Sequence, residues 1–181
     1  TGTSSGSNSG SGTRHSTTQL VGVASGVTSG YGVAADGSGN VWVTGSTTGD
    51  LGGQTRTGIK DVFLMKFNSA GVRQSTKLMG VAGKGTYGHG VAADNSGNVW
   101  VAGESSGNLD GQTKAGNRDA FLIKFNSAGV KQSTTLMGVA GKNTRGYGVA
   151  ADSSGNAWVT GSTEGALDGQ TPTGASDLFL I

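Results

Sequence analysis

Apolar and polar positions in residues 31–80 come in short alternating runs, with no sustained helical spacing. The runs YGVAAD (31–36), VWVTGST (41–47), DVFLMKF (61–67) and VRQSTKLMG (72–80) are separated by DGSGN, by the Gly-rich stretch TGDLGGQTRTGIK and by NSAG. Gly, Asn, Asp and Ser at such joints supply tight-turn geometry. Four strands are therefore predicted. Side chains alternate across a strand, so Val41 and Val43 face one way and Trp42 and Thr44 the other. Val62 and Leu64 likewise oppose Phe63, Met65 and Phe67. With apolar residues on both faces, the predicted sheet is covered on both sides.

The pattern repeats with a period of 58 residues, as Trp42, Trp100 and Trp158 show. VAADGSGNVWVTGST (33–47) returns as VAADNSGNVWVAGES (91–105) and VAADSSGNAWVTGST (149–163). Asp61, Asp119 and Asp177 are in register, followed by Phe63, Phe121 and Phe179. A unit of this size, copied nearly unchanged, buries its faces on its neighbours. The reading is all-β, with three repeats of a four-stranded, β-propeller-type blade and the small-residue first strand innermost. A solenoid would need a shorter period, and a sandwich would not repeat at this one. Trp42, Trp100, Trp158, Phe63, Phe121 and Phe179 are the expected core between blades, although exposed indoles would instead suit sugar stacking.

The third copy stops at DLFLI (177–181), partway along its third strand. RHSTTQLVGVASGVTSGYG (14–32) matches KQSTTLMGVAGKNTRGYG (131–148), with a one-residue slip near its start. The expected division is a Gly/Ser-rich leader (1–13), a donor strand (14–30), blades at 31–88 and 89–146, and an incomplete blade at 147–181. An unpaired strand edge is a template for another strand. Ser16, Thr17, Thr18, Gln19, Leu20 and Val21 are the candidate assembly strand; Leu178, Phe179, Leu180 and Ile181 are the candidate acceptor edge. The chain is thus expected to be circularly cut, its first strand completing a last blade. Propellers have about four to eight blades. Closure between chains is therefore favoured, as a two-chain ring of six blades or a head-to-tail filament. An excerpt from a longer propeller is the other reading.

Composition narrows the function. Gly contributes 36 residues and Pro one, only 13% are charged and 33% hydrophobic, and the net charge is +2. The 13 Lys and Arg are scattered, which points away from nucleic acid. No apolar run approaches the ~20 residues of a membrane helix, so no membrane insertion is expected. Cysteine is absent, which excludes disulfides and thiolate metal sites.

Candidate chemistry is sparse. Asp36 and Asn40 flank a turn that lacks the EF-hand pattern, and they read as bonding to their own backbone. Asp61, Asp119 and Asp177 read as anchors of the preceding Gly-rich loops, by accepting backbone N–H bonds. Together with Asp110 and Asp168 they could alternatively hold a cation. His89 stands in the register of Tyr31 and Tyr147, and His15 beside Arg14; neither has a visible set of co-ligands. No nucleophile elbow or phosphate-cradling loop occurs. No enzymatic activity and no cofactor are expected.

AADxSGNVWVTGxT, LDGQTxxG and DxFLIKFNSAG resemble the bacterial SBBP repeat, over residues 14–181. The resemblance implies propeller blades and an exported or surface-associated bacterial protein, with no shared enzymatic activity. The expectation is a structural scaffold, extracellular or on the cell surface, whose partners are copies of itself. The alternative is a binding module whose blade loops take a glycan or calcium.

Overall fold

The computed structural model describes residues 18–181, and the leader with Ser16 and Thr17 lies outside them. The strands are β1 (Thr28–Ala35), β2 (Val41–Thr47), β3 (Asp61–Phe67), β4 (Arg73–Met79), β5 (Thr86–Ala93), β6 (Val99–Ser105), β7 (Asp119–Phe125), β8 (Lys131–Met137), β9 (Thr144–Ala151), β10 (Ala157–Thr163) and β11 (Asp177–Leu180). They form three antiparallel meanders: β1-β2-β3-β4, β5-β6-β7-β8 and β9-β10-β11. The fold is all-β and built from three repeated units, as the 58-residue period requires.

β2 and β3 have the expected bounds, whereas β1 begins three residues earlier than its apolar run. Past a bulge between Gly30 and Gly32, the polar residues Thr28 and Ser29 pair with Thr47 and Ser46. Paired hydroxyls close that end: Thr28 with Thr47, Thr86 with Ser105 and Thr144 with Thr163. Hydrogen bonding holds this part of the strand, so hydrophobic alternation does not reveal it.

Each sheet has a front face, which carries the Trp of its second strand, and a back face, which carries the Phe of its third. The front of the first sheet (Trp42, Val62, Leu64) packs on the back of the second (Val99, Val101, Phe121, Ile123, Phe125). The front of the second (Ala102, Ala120, with Leu122) packs on the back of the third (Val159, Phe179) and on Leu167. First strands adjoin in series, β1 beside β5 and β5 beside β9. The approach is close: a Cβ on Gly32 would lie 3.0 Å from the His89 carbonyl oxygen, and one on Gly90 would lie 3.0 Å from Gly148 Cα. The small-residue composition of the first strand follows from that contact.

Two outer faces remain. On the back of the first sheet, Phe63 and Met65 are buried under Leu51, with Val21 and Val23 leaning on them. Phe63 therefore belongs to an outer cluster, while Phe121 lies between sheets. On the front of the third sheet, Trp158 is 41% exposed, against 1% for Trp42 and 3% for Trp100. The expectation that Trp158 is core is corrected: among the described residues no sheet covers that face.

Candidate assembly site

The loop anchors lie where the sequence places them. Asp61 accepts N–H bonds from Thr57 (2.8 Å) and Gly58 (2.7 Å), and Asp119 from Ala115 (2.7 Å) and Gly116 (2.8 Å). A hydrogen bond contributes a net of about 0.5–1.5 kcal/mol. Both carboxylates are buried, pressed against the end of the fourth strand of their own sheet. A Cβ on Gly80 would lie 1.9 Å from Asp61 Oδ1, and one on Gly138 would lie 2.0 Å from Asp119 Oδ1. The counterpart Asp177 accepts from the Thr173 N–H (2.9 Å) and Thr173 hydroxyl (2.7 Å), which hold its carboxyl below the usual range. Gly174 of its own loop donates an N–H to it at 3.3 Å, but among the described residues no glycine following a fourth strand lies against it. Gly22, which occupies the register of Gly80 and Gly138, has open space where a Cβ would project.

The candidate acceptor edge lines a groove of about 540 Å³ between β11 and the loop residues Leu167, Asp168 and Pro172. Phe179 is buried, whereas Leu178, Leu180 and Ile181 are 79%, 66% and 41% exposed. In the other two sheets that edge is filled by β4 and β8, with Phe63 opposite Leu78 and Phe121 opposite Leu136. The candidate assembly residues Thr18, Gln19, Leu20 and Val21 form no strand here and do not pair with β11 of their own chain. Leu20 is 95% exposed, while its register mates Leu78 and Leu136 are packed against core clusters.

Residues 21–27 nevertheless follow the path by which each fourth strand passes to the next sheet. Val23 meets Gly49 as Val81 meets Gly107 and Val139 meets Gly165. The Val27 carbonyl accepts the Thr48 N–H as those of Gly85 and Asn143 accept the N–H groups of Ser106 and Glu164.

The remaining candidates are mostly accounted for by their own loops. Asp36 accepts from the backbone of Ser38 and Asn40, as expected, and also from Asn40 Nδ2 and from Trp42 Nε1 at 3.0 Å. Burial opposes its charge, but these bonds outweigh burial and hold its pKa down. Asp110 and Asp168 have positive φ (52° and 49°) where the first copy has Gly52 (61°). The Asp/Gly exchange is thus explained by backbone: Gly and Asp are among the residues that best tolerate the left-handed region. Among the described residues no group of three or more His, Asp or Glu is placed to hold a metal ion.

Sequence reasoning passed over one cluster. Glu104, 6% exposed, pairs with Arg118 and, at 3.2 Å, with Arg145, which also reaches Glu164 at 3.2 Å. This network ties the second sheet to the third. Its signal was a break in the repeat, since Ser46 and Ser162 occupy the register of Glu104. Nearby, the His89 ring lies 5.6–6.5 Å from those of Tyr31, Tyr87 and Tyr147. Burial pushes the His89 pKa down, opposed by Glu104 and assisted by Arg118.

No curated protein matches the chain. The family model of the SBBP beta-propeller repeat matches three times, at residues 17–52, 76–110 and 134–167. The second and third matched stretches begin within β4 and β8 and run through the first two strands of the following sheet, so there the family's unit straddles the joint between sheets. Together the three cover more than half of the sequence, and the chain belongs to the SBBP beta-propeller repeat family.

Proposed function

We propose that the protein is a non-enzymatic structural scaffold whose sheets are propeller blades and which assembles head to tail with copies of itself by strand complementation. The observation that carries this reading is the exposed edge of β11, the edge that β4 and β8 fill in the other two sheets. Residues 18–21 form no strand and stand in the register of the last part of β4 and β8. The register follows from the filled edges. Val62 pairs with Met79 and Phe63 with Leu78; shifting by the repeat pairs Leu178 with Val21 and Phe179 with Leu20 of a second copy. Asp177 would then close on Gly22.

The loop adds two bonds. Ile59 N–H donates to the Lys84 carbonyl and Thr86 N–H to that of Lys60; Asn117 with Lys142, and Thr144 with Arg118, repeat the arrangement. Between copies the equivalents are Ala175 N–H to Gly26 and Thr28 N–H to Ser176. Main-chain bonds of this kind give affinity, and side-chain pockets give register.

Two copies would supply six sheets, within the about four to eight of known propellers; a joint that does not close would extend a filament. The family resemblance favours an extracellular or cell-surface setting. The test is mass in solution over a range of concentrations, for the full chain and for the chain lacking residues 1–23. Association that disappears with the deletion supports the reading; a full-length chain that stays a compact monomer overturns it.

A further inference from the structure

We propose that the front face of the third sheet and the back face of the first are the two halves of one joint made between two copies of this chain, with the Trp158 indole as its anchor. This rests on the self-assembly reading and extends it from a shared strand edge to a packed face.

The occupant is identified by the joints the molecule already contains. At the first, Trp42 lies across the turn of the second sheet, so that a methyl group on Gly129 would meet the ring at 3.6 Å. Around it are Val99, Val101, Phe121, Ile123 and Phe125. One repeat earlier, the same positions are Val41, Val43, Phe63, Met65 and Phe67, with Gly71 at the turn. These residues line an open groove of about 460 Å³ on the back of the first sheet. The groove is therefore a Trp-receiving face without its Trp. On the third sheet, Trp158, Leu178 and Leu180 stand exposed in the positions that Trp42, Val62 and Leu64 occupy in the core. They are a Trp-bearing face without its receiver.

Part of the missing neighbour is already in place. Val21 stands in the register of Met79, which packs on the first internal joint, and of Met137, which packs on the second. Val21 itself leans on Phe63 and Met65 at the mouth of the groove. When residues 18–21 join β11 of a second copy, that copy's Trp158 is carried over the same groove. The residues named on both faces are uncharged, so docking buries apolar surface without stranding a charge.

The experiment is acrylamide quenching of tryptophan in the full chain, with sedimentation at the same concentrations. The dissociated chain has one exposed indole of three, and the quenchable share should fall toward zero as association proceeds. Trp158→Ala should weaken association by at least about 30-fold, the loss typical of an interface hot spot, and Trp158→Phe by less. Association with Trp158 still quenchable, or unaffected by Trp158→Ala, overturns the packed joint while leaving strand exchange standing. A chain that never associates overturns both.

Discussion

Trp100→Ala and Trp158→Ala remove the same side chain from the same register position in two different environments. A Trp buries about 150–250 Å², and at about 25 cal/mol per Å² the area lost on truncation to Ala is worth about 4 kcal/mol. Trp100 is 3% exposed, so nearly all of that applies, and a cavity remains. The expected cost is about 3–5 kcal/mol. Trp158 is 41% exposed, which scales the area to roughly three-fifths, and its site is open, so no cavity forms. The expected cost is about 2 kcal/mol. Urea denaturation followed by far-UV circular dichroism, at concentrations where the chain is dissociated, measures both, with the m-value as a check that the unfolding reaction is the same. Two costs agreeing within about 0.5 kcal/mol would refute the assignment of one buried and one open face. In associated protein the Trp158→Ala penalty should rise toward that of Trp100→Ala, since binding adds to apparent stability.

Three further outcomes are expected. Gly103→Ala should destabilise the dissociated chain by more than about 3 kcal/mol in the same denaturation assay, because its Cβ would lie 1.9 Å from the Tyr87 carbonyl oxygen; a neutral effect would contradict the close pairing of β5 and β6. The His89 pKa is lowered from 6.5, so the neutral ring is the folded form. That contribution is complete above about pH 6.5 and is lost as pH falls toward the folded value. A His89→Phe chain should therefore lose less stability across that window than the parent, and equal losses would refute the assignment. Millimolar calcium should leave the melting temperature unchanged, because Asp61 and Asp119 already accept N–H bonds from their own loops; a rise would favour the ligand-binding reading.

The period, the strands β2 and β3 and the opposite facing of Trp42 and Val43 were legible because they depend on side-chain alternation and on exact recurrence. The start of β1 was not, since hydroxyl pairs and a bulge at Gly30–Gly32 hold it. The loop role of Asp61 and Asp119 was legible from a carboxylate following a Gly-rich stretch. The αL requirement at Gly52, Asp110 and Asp168 needed backbone angles. The repeat predicted equal burial for all three Trp residues, because sequence register does not say which faces meet a neighbour; the exposure of Trp158 is a property of the unit's position in the array. The Glu104–Arg145 pair was not legible because both residues depart from the repeat and meet only where the second and third sheets adjoin.

Strand exchange between copies requires one specific register. A chain carrying Val21→Cys and a second carrying Leu178→Cys, mixed under mild oxidant, place the only two thiols where Met79 and Val62 pair within one chain. That register should give a disulfide-linked pair of chains in large excess over that from Leu20→Cys mixed with Leu178→Cys, whose side chains point to opposite faces. Equal yields from the two mixtures, or no linked product from either, would contradict it.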